Sequence, residues 1–332
     1  MTKRALNTLL SWPASEPAIH FSAGVMSRWM ARSSRAMTSC LFALLLAAPA
    51  AAQEISLKGA VDIHVHQDPD SAPRTIDADD VARQAKAAGM RAVVLKNHWA
   101  ETASLAYMVR KMVPGIQVFG GITQDLAIGG INIEAVKHMA DMKGGYGRIV
   151  WLPTFDAENQ VKGKGPEVKV SENGKLLPSV LALLDYIGTR KQLVLETGHV
   201  SAEEALMVIR EARARGVQYV VATHGMSGPT NLSVAQAQEA ARMGAYIEFV
   251  YGGLVEKDSK LTVEKYAEWI KAVGPAHCIL SSDLGGARPY PRPMPAAGLL
   301  EFMQRLNKLG ISTADINLMA KTNPAKILGL EP

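Results

Sequence analysis

From residue 61 to residue 281 the chain repeats one unit: a short apolar run, then a stretch whose apolar residues recur at helical spacing. The runs fall at 61–66, 92–96, 116–122, 148–152, 193–196, 217–221, 245–250 and 277–281. Helices are predicted at 77–88, 102–112, 133–142, 178–190, 201–215, 232–243, 262–273, 295–308 and 312–320. Runs that are apolar throughout are what strands covered on both faces require. Strands alternating with helices imply an α/β fold with a parallel sheet, and eight units imply closure into a (β/α)8 TIM barrel. One irregular stretch, 156–177, interrupts the rhythm. In it Ser171-Glu172-Asn173-Gly174 lies between two apolar segments, and Asn-Gly in that setting is a hairpin signal. A small β-hairpin insertion after strand four is expected.

The competing architecture is an open, doubly wound sheet, which gathers its site at a single crevice. Here the polar residues at run ends are spread over strands one, two, five, six and eight. His64 and His66 end the first run, Lys96 and His98 the second, and His199, His224 and Asp283 follow the fifth, sixth and eighth. Only a barrel brings all these ends to one mouth. His64 and His66 are two apart and share a face of their strand, as do Lys96 and His98. Any one of these histidines, taken alone, is equally a buried, hydrogen-bonded ring; the recurrence at strand ends argues for a site. Imidazole and carboxylate are the ligands that borderline divalent metals such as zinc take. Asp283 is placed to accept a proton from an attacking water. His138 lies within a predicted helix and reads as a surface residue. His277 starts strand eight at the other end of the barrel and reads as structural. Cys278 reads as a buried strand thiol.

With these residues in order, the sequence resembles the amidohydrolase superfamily of metal-dependent hydrolases over about residues 58–330. The closing segment Asn323-Pro324-Ala325-Lys326-Ile327-Leu328-Gly329-Leu330 is similar to the last helix of those proteins. The resemblance implies one or two divalent ions, zinc foremost. His64, His66 and Asp283 would hold the more buried ion. His199 and His224 would hold a second, or His224 would polarise the substrate in a one-metal site. Asp283 and His224 are the implied catalytic residues. Two-metal members often carry a carboxylated lysine on strand four, but here that strand ends Trp151-Leu152-Pro153-Thr154. Lys96 is the nearest substitute; its alternative is an ammonium paired with a carboxylate such as Glu196. Glu196 and Glu248 are also candidate ligands at strand ends; the role expected of each is to orient a histidine.

The substrate is less legible. His98, Trp99 and Arg288 are the candidate substrate contacts, with Trp151, Phe155 and Tyr251 as further walls. Arg288 sits among Pro289, Pro291 and Pro293, which stiffen its loop, and an arginine there suits a carboxylate. The expected activity is hydrolysis of a C–N or C–O bond in a small-molecule amide, lactone or ester. The alternatives are a phosphoesterase, a metal-free decarboxylase or lactonase on the same fold, and a non-catalytic metal- or solute-binding barrel. The partners expected are a small-molecule substrate and, at most, further copies of the chain as a homo-oligomer.

Composition bears mainly on location. The net charge is +5 over 332 residues, but Lys3, Arg4, Arg28, Arg32 and Arg35 stand against Glu16 alone before residue 53. The remainder is close to neutral, so no nucleic-acid surface is implied. Three of those arginines precede the apolar run 41–48, and Ala50-Ala51-Ala52 follows it, the pattern of a cleavable secretory signal. The run is too short to span a membrane. The chain therefore divides into a leader, 1–52, and a barrel, 53–332, expected in the periplasm without a membrane anchor. After cleavage only Cys278 remains, which excludes an internal disulfide. Sequencing the N-terminus of exported protein is expected to find Gln53 or a close neighbour; an intact Met1 or Met26 would refute the leader.

Overall fold

The computed structural model describes residues 54–330, and the expected leader lies outside the described residues. Ten strands occur: β1 (Val61–Val65), β2 (Ala92–Leu95), β3 (Gln117–Thr123), β4 (Gly147–Trp151), β5 (Ser171–Glu172), β6 (Lys175–Leu176), β7 (Val194–Glu196), β8 (Tyr219–Ala222), β9 (Tyr246–Val250) and β10 (Cys278–Ser281). Eight form one sheet in the order β1-β2-β3-β4-β7-β8-β9-β10, and each neighbouring pair is parallel. The sheet closes at its C-terminal rim. Asp283 N–H donates to the His64 carbonyl at 2.8 Å and His66 N–H to the Leu284 carbonyl at 2.9 Å. This is the (β/α)8 barrel. The remaining pair, β5 and β6, is the antiparallel hairpin after β4, and Asn173 and Gly174 at its tip both have positive φ, as its two-residue turn requires. Among the described residues no helix is long and apolar enough to cross a membrane.

Alternation along the strands sorts the core into two layers. Ile63, Ala92, Val94, Phe119, Ile149, Trp151, Val194, Val221, Tyr246 and Ile279 fill the barrel with Val61. Val93, Leu95, Val118, Val150, Leu195, Val220, Ile247, Phe249 and Leu280 pack outwards against the helices. The closing segment plugs the end opposite the rim. Ala325, Ile327 and Leu328 join the inner layer, and the Asn323 carboxamide donates to the Cys278 carbonyl at 2.8 Å and the Pro275 carbonyl at 3.1 Å. His277 lies in a short 3-10 turn, Pro275–His277, rather than in the strand, which begins at Cys278. Cys278 itself is fully buried, and burial pushes its thiol far up, as an inert strand residue should be.

Two local departures from regularity place the site. In β1 the register slips between Asp62 and Val65, so three steps on β1 face two on β2. Ile63 packs inside the barrel while His64, the next residue, lines the cavity above it. This bulge, not simple alternation, turns His64 and His66 inward. The buried Asp62 carboxylate supports it, accepting the N–H groups of His64 at 3.1 Å and Ser282 at 3.0 Å. In β3, Gly121 makes room for the site's floor. A Cβ there would stand 2.5 Å from the Trp151 ring and 2.2 Å from the Ile149 carbonyl. Neither can yield without moving β4, so Gly121→Ala is expected to cost about 1–3 kcal/mol or more, measured by urea unfolding. An unchanged midpoint would mean that the strand relaxes freely here.

Candidate active site

All seven strand-end residues singled out from the sequence come to the C-terminal rim. His64, His66, Lys96, His98, His199, His224 and Asp283 line one cavity of about 1470 Å³. Two of them sit in the left-handed backbone region, His224 at φ 38° and Asp283 at φ 49°. Such conformations are uncommon for residues with a Cβ and tend to occur where a side chain must be aimed.

Asp283 is the centre. Its Oδ1 lies 3.1 Å from His66 Nε2 and 3.3 Å from His64 Nε2, and its Oδ2 lies 3.8 Å from His224 Nε2. Burial alone would raise this carboxyl, but His64, with His66 and His224, overrides burial and holds it well below the ordinary range. The far side of each ring of the His-x-His pair is fixed. His66 Nδ1 faces the Lys96 carbonyl at 3.0 Å, which can only accept, so Nδ1 carries the hydrogen. Burial pushes His66 down to about 3, so the ring is neutral and Nε2 holds a lone pair. That lone pair points at a carboxylate oxygen 3.1 Å away with no hydrogen between them. His64 Nδ1 donates to Glu248, 3.1 Å from Oε1, which turns Nε2 inward, where it bears a lone pair whenever the proton it shares with Lys96 sits on Nζ. Electron pairs converging in this way repel one another unless a cation stands among them. The atoms offered by His64, His66 and Asp283 lie within 4.8 Å of one another. Two imidazoles and a carboxylate with supported tautomers therefore fit a divalent metal. His64, His224 and Glu248 also group within 4.8 Å. Glu248 also accepts His64 Nδ1–H and, at 3.1 Å, the His224 N–H, so its oxygens already serve to hold these two residues.

Lys96 is fully buried, and its Nζ lies 2.9 Å from His64 Nε2 and 5.2 Å from the centre of the Trp151 ring. Burial lowers Lys96. Burial and Lys96 lower His64, but Glu248 and Asp283 outweigh them and raise it. The two nitrogens thus compete for one proton. The two glutamates expected to orient histidines part company. Glu248 does so; burial would raise it, yet His64 brings it down to about 2. Glu196 meets no histidine: its Oε2 accepts from Thr223 Oγ1 at 2.9 Å and its Oε1 has no partner. Burial, with Glu248 nearby, pushes it up to about 8, so it is a neutral acid at neutral pH.

His199 stands beside His224, ring centres 5.1 Å apart, but belongs to neither metal-sized group. The Nδ1 atoms of His199 and His224 are buried without partners. Trp99 does not line the cavity; it packs behind Phe155 and His98, at 5.9 and 5.4 Å between ring centres, and Phe155 forms the wall. Arg288 is at the mouth with its guanidinium on Glu256, 3.1 Å from Oε1, so its charge is already met. Glu256 also accepts from Tyr290 Oη and Arg292, which ties the loop after β10 to the loop after β9. Sequence reasoning passed over Asp62, Asp125, Thr154 and Thr223, all buried polar residues around the site. Asp62 carried a signal, an acid inside an apolar run; the others follow strands as ordinary loop residues.

The barrel and its rim of histidines define the class. Solved structures with the same fold include an amidohydrolase from Pseudomonas aeruginosa, at TM-score 0.55 and 13% identity, covering 82% of this chain and 95% of that one. A dihydroorotase aligns at TM-score 0.53 and 16% identity, covering 82% and 70%. An organophosphorus hydrolase from Deinococcus radiodurans aligns at TM-score 0.54 and 16% identity, covering 83% and 94%. At such identities the likeness is one of fold alone, the (β/α)8 barrel. No curated protein matches the sequence. The chain belongs to DUF6282, a family of unknown function, whose model matches residues 59–248. That span carries the histidines, Lys96 and Glu248, and ends before Asp283.

Glu248 provides a test of the tautomer argument. Glu248→Gln keeps the shape but cannot accept from both His64 Nδ1–H and His224 N–H. Affinity for a divalent metal, measured by chelator competition, is expected to fall about 10–100-fold; unchanged affinity would show that Glu248 does not orient the His64 ring.

Proposed function

We propose that the chain is a metal-dependent hydrolase acting on a C–N or C–O bond of a small-molecule amide, lactone or ester. The observation that carries the proposal is the convergence of two inward-facing Nε2 atoms, of His64 and His66, on one Asp283 oxygen at 3.3 and 3.1 Å. A divalent ion in that donor set supplies Lewis acidity to a carbonyl and lowers the pKa of water. The chain's own groups do the rest. Asp283, held ionised, accepts a proton at the carboxylate and returns it to the leaving group. His224, 3.8 Å from Asp283 Oδ2, is the neighbour placed to polarise the substrate; burial lowers it to about 4, so it acts as a neutral ring. Phe155 and His98 supply an apolar and a polar wall.

Lys96 decides the metal count in this reading. As an ammonium it takes the His64 lone pair. Carboxylation of Nζ would remove that competition and turn a donor into a ligand, giving a site for two ions with His199 and His224. Zinc is the metal proposed, on the all-nitrogen-and-oxygen donor set. A periplasmic setting is proposed on the leader's sequence. The substrate is proposed to be anionic, because Lys257 and Lys260 line the mouth with Asp258 beside them, whereas Arg74 is paired with Asp70 and Arg288 and Arg292 with Glu256. Arg288 remains the proposed contact through the part of its side chain that is exposed.

The test is metal content per chain together with turnover on a panel of amides, lactones, esters and phosphoesters. Asp283→Asn keeps one oxygen ligand but no base; most metal should remain while kcat falls by roughly 10²–10⁴. His64→Ala should lower metal occupancy itself. Turnover of phosphoesters alone would favour the phosphoesterase, and bound metal with no turnover on any member would favour a binding barrel. A wild-type rate for Asp283→Asn would remove Asp283 from the chemistry.

A further inference from the structure

One ring in the cavity wall has a support of its own and belongs to neither metal-sized group. His98 follows β2, Asp125 follows β3 and Thr154 follows β4, and all three are buried. His98 Nδ1 lies 2.7 Å from Thr154 Oγ1, which lies 2.5 Å from Asp125 Oδ2. Asp125 Oδ1 accepts the N–H of Thr154 at 2.7 Å and of Asp156 at 3.2 Å. The ring packs against Phe155 at 4.1 Å and His66 at 5.0 Å between centres.

The direction of these bonds follows from counting hydrogens. A carboxylate only accepts. With Oδ1 taken by two backbone N–H groups, Oδ2 receives the one hydrogen of the Thr154 hydroxyl. The hydroxyl then has only lone pairs to offer His98, so Nδ1 must carry the ring's hydrogen. In the neutral ring this leaves the lone pair on Nε2. That atom has no hydrogen-bond partner and is not among the sealed, unpartnered buried atoms, so it opens into the cavity that His98 lines.

We propose that Asp125 and Thr154 are positioning residues that fix His98 as a hydrogen-bond acceptor at Nε2, and that the cavity's ligand carries an N–H or O–H donor to meet it. An amide or a hydroxylated acid satisfies this; a simple ester with no donor does not. The reading of the cavity as a reaction site underlies the ligand statement. The positioning statement concerns only where one proton sits on a ring whose charge does not change.

The experiment is nuclear magnetic resonance of the full chain with isotope-labelled histidine, in which ring nitrogen shifts separate the two tautomers. It needs neither turnover nor substrate, so its failure is distinct from failure of the hydrolase reading. The His98 signals are assigned by their loss in His98→Gln. Wild type should show hydrogen on Nδ1. In Asp125→Asn, the carboxamide oxygen stays on the two backbone N–H groups and its NH2 turns to Thr154 Oγ1. The hydroxyl must then donate to His98, and the ring hydrogen should move to Nε2, as loss of an orienting carboxylate does to a catalytic histidine. Thr154→Ser should keep the wild-type tautomer and Thr154→Val should lose the preference. A wild-type ring with hydrogen on Nε2 overturns the proposal, as does Asp125→Asn with the hydrogen still on Nδ1. If Asp125→Asn fails to fold, the wild-type tautomer and the Thr154→Ser and Thr154→Val pair decide it.

Discussion

The barrel closes through two backbone hydrogen bonds, Asp283 N–H to the His64 carbonyl and His66 N–H to the Leu284 carbonyl. Those peptide groups belong to the residues whose side chains meet in the cavity. Closure and site are therefore one event: until β1 and the chain after β10 come together, His64, His66 and Asp283 are far apart along the chain. The bulge in β1 sharpens this dependence. Asp62 accepts from His64 on its own strand and from Ser282 on the other, so one buried carboxylate spans the seam and aims the first histidine. Its pKa is raised to about 6, because burial outweighs the bonds it accepts. A carboxylate kept in such surroundings implies that the seam needs its particular acceptor geometry.

Burying so many ionisable groups is costly unless each charge is met or lost. The site uses both routes. Glu248 stays ionised because it receives hydrogens from His64 and His224. Glu196, one strand over from β8 and with only Thr223 as partner, is pushed to about 8 and keeps its proton. Two acids of the same type thus end in opposite states, set by partners rather than by depth. The unpartnered Nδ1 atoms of His199 and His224 and the free Oε1 of Glu196 are the places where this accounting is incomplete.

The mouth is built differently. Its loops are joined by Glu256, which receives Arg288, Arg292 and Tyr290 and is held below its ordinary value despite burial. This cluster fixes the loops after β9 and β10 against each other, with Lys257, Asp258 and Lys260 of the loop after β9 lining the mouth beside it.

The alternation of apolar runs and helical spacing was enough to determine the barrel, because parallel strands covered on both faces leave that imprint residue by residue. It also located the site's rim: His64, His66, Lys96, His98, His199, His224 and Asp283 all stand at strand ends in the sequence. The hairpin was legible from Asn173-Gly174, whose turn needs positive φ. What only the tertiary structure decided is which of these residues address one another. The β1 bulge depends on a neighbour strand and leaves no local signal beyond a lone buried Asp62. Glu248 and Glu196 look alike in the sequence and differ because one faces a histidine and the other a hydroxyl. Trp99 follows a strand as a cavity residue would, yet packs behind Phe155. Asp125, Thr154 and His98 lie on three separate loops, and their hydrogen-bond chain exists only once the strands that carry them stand side by side. Periodicity is a property of a segment and can be read from it. A hydrogen bond between distant loops is a property of the closed barrel alone.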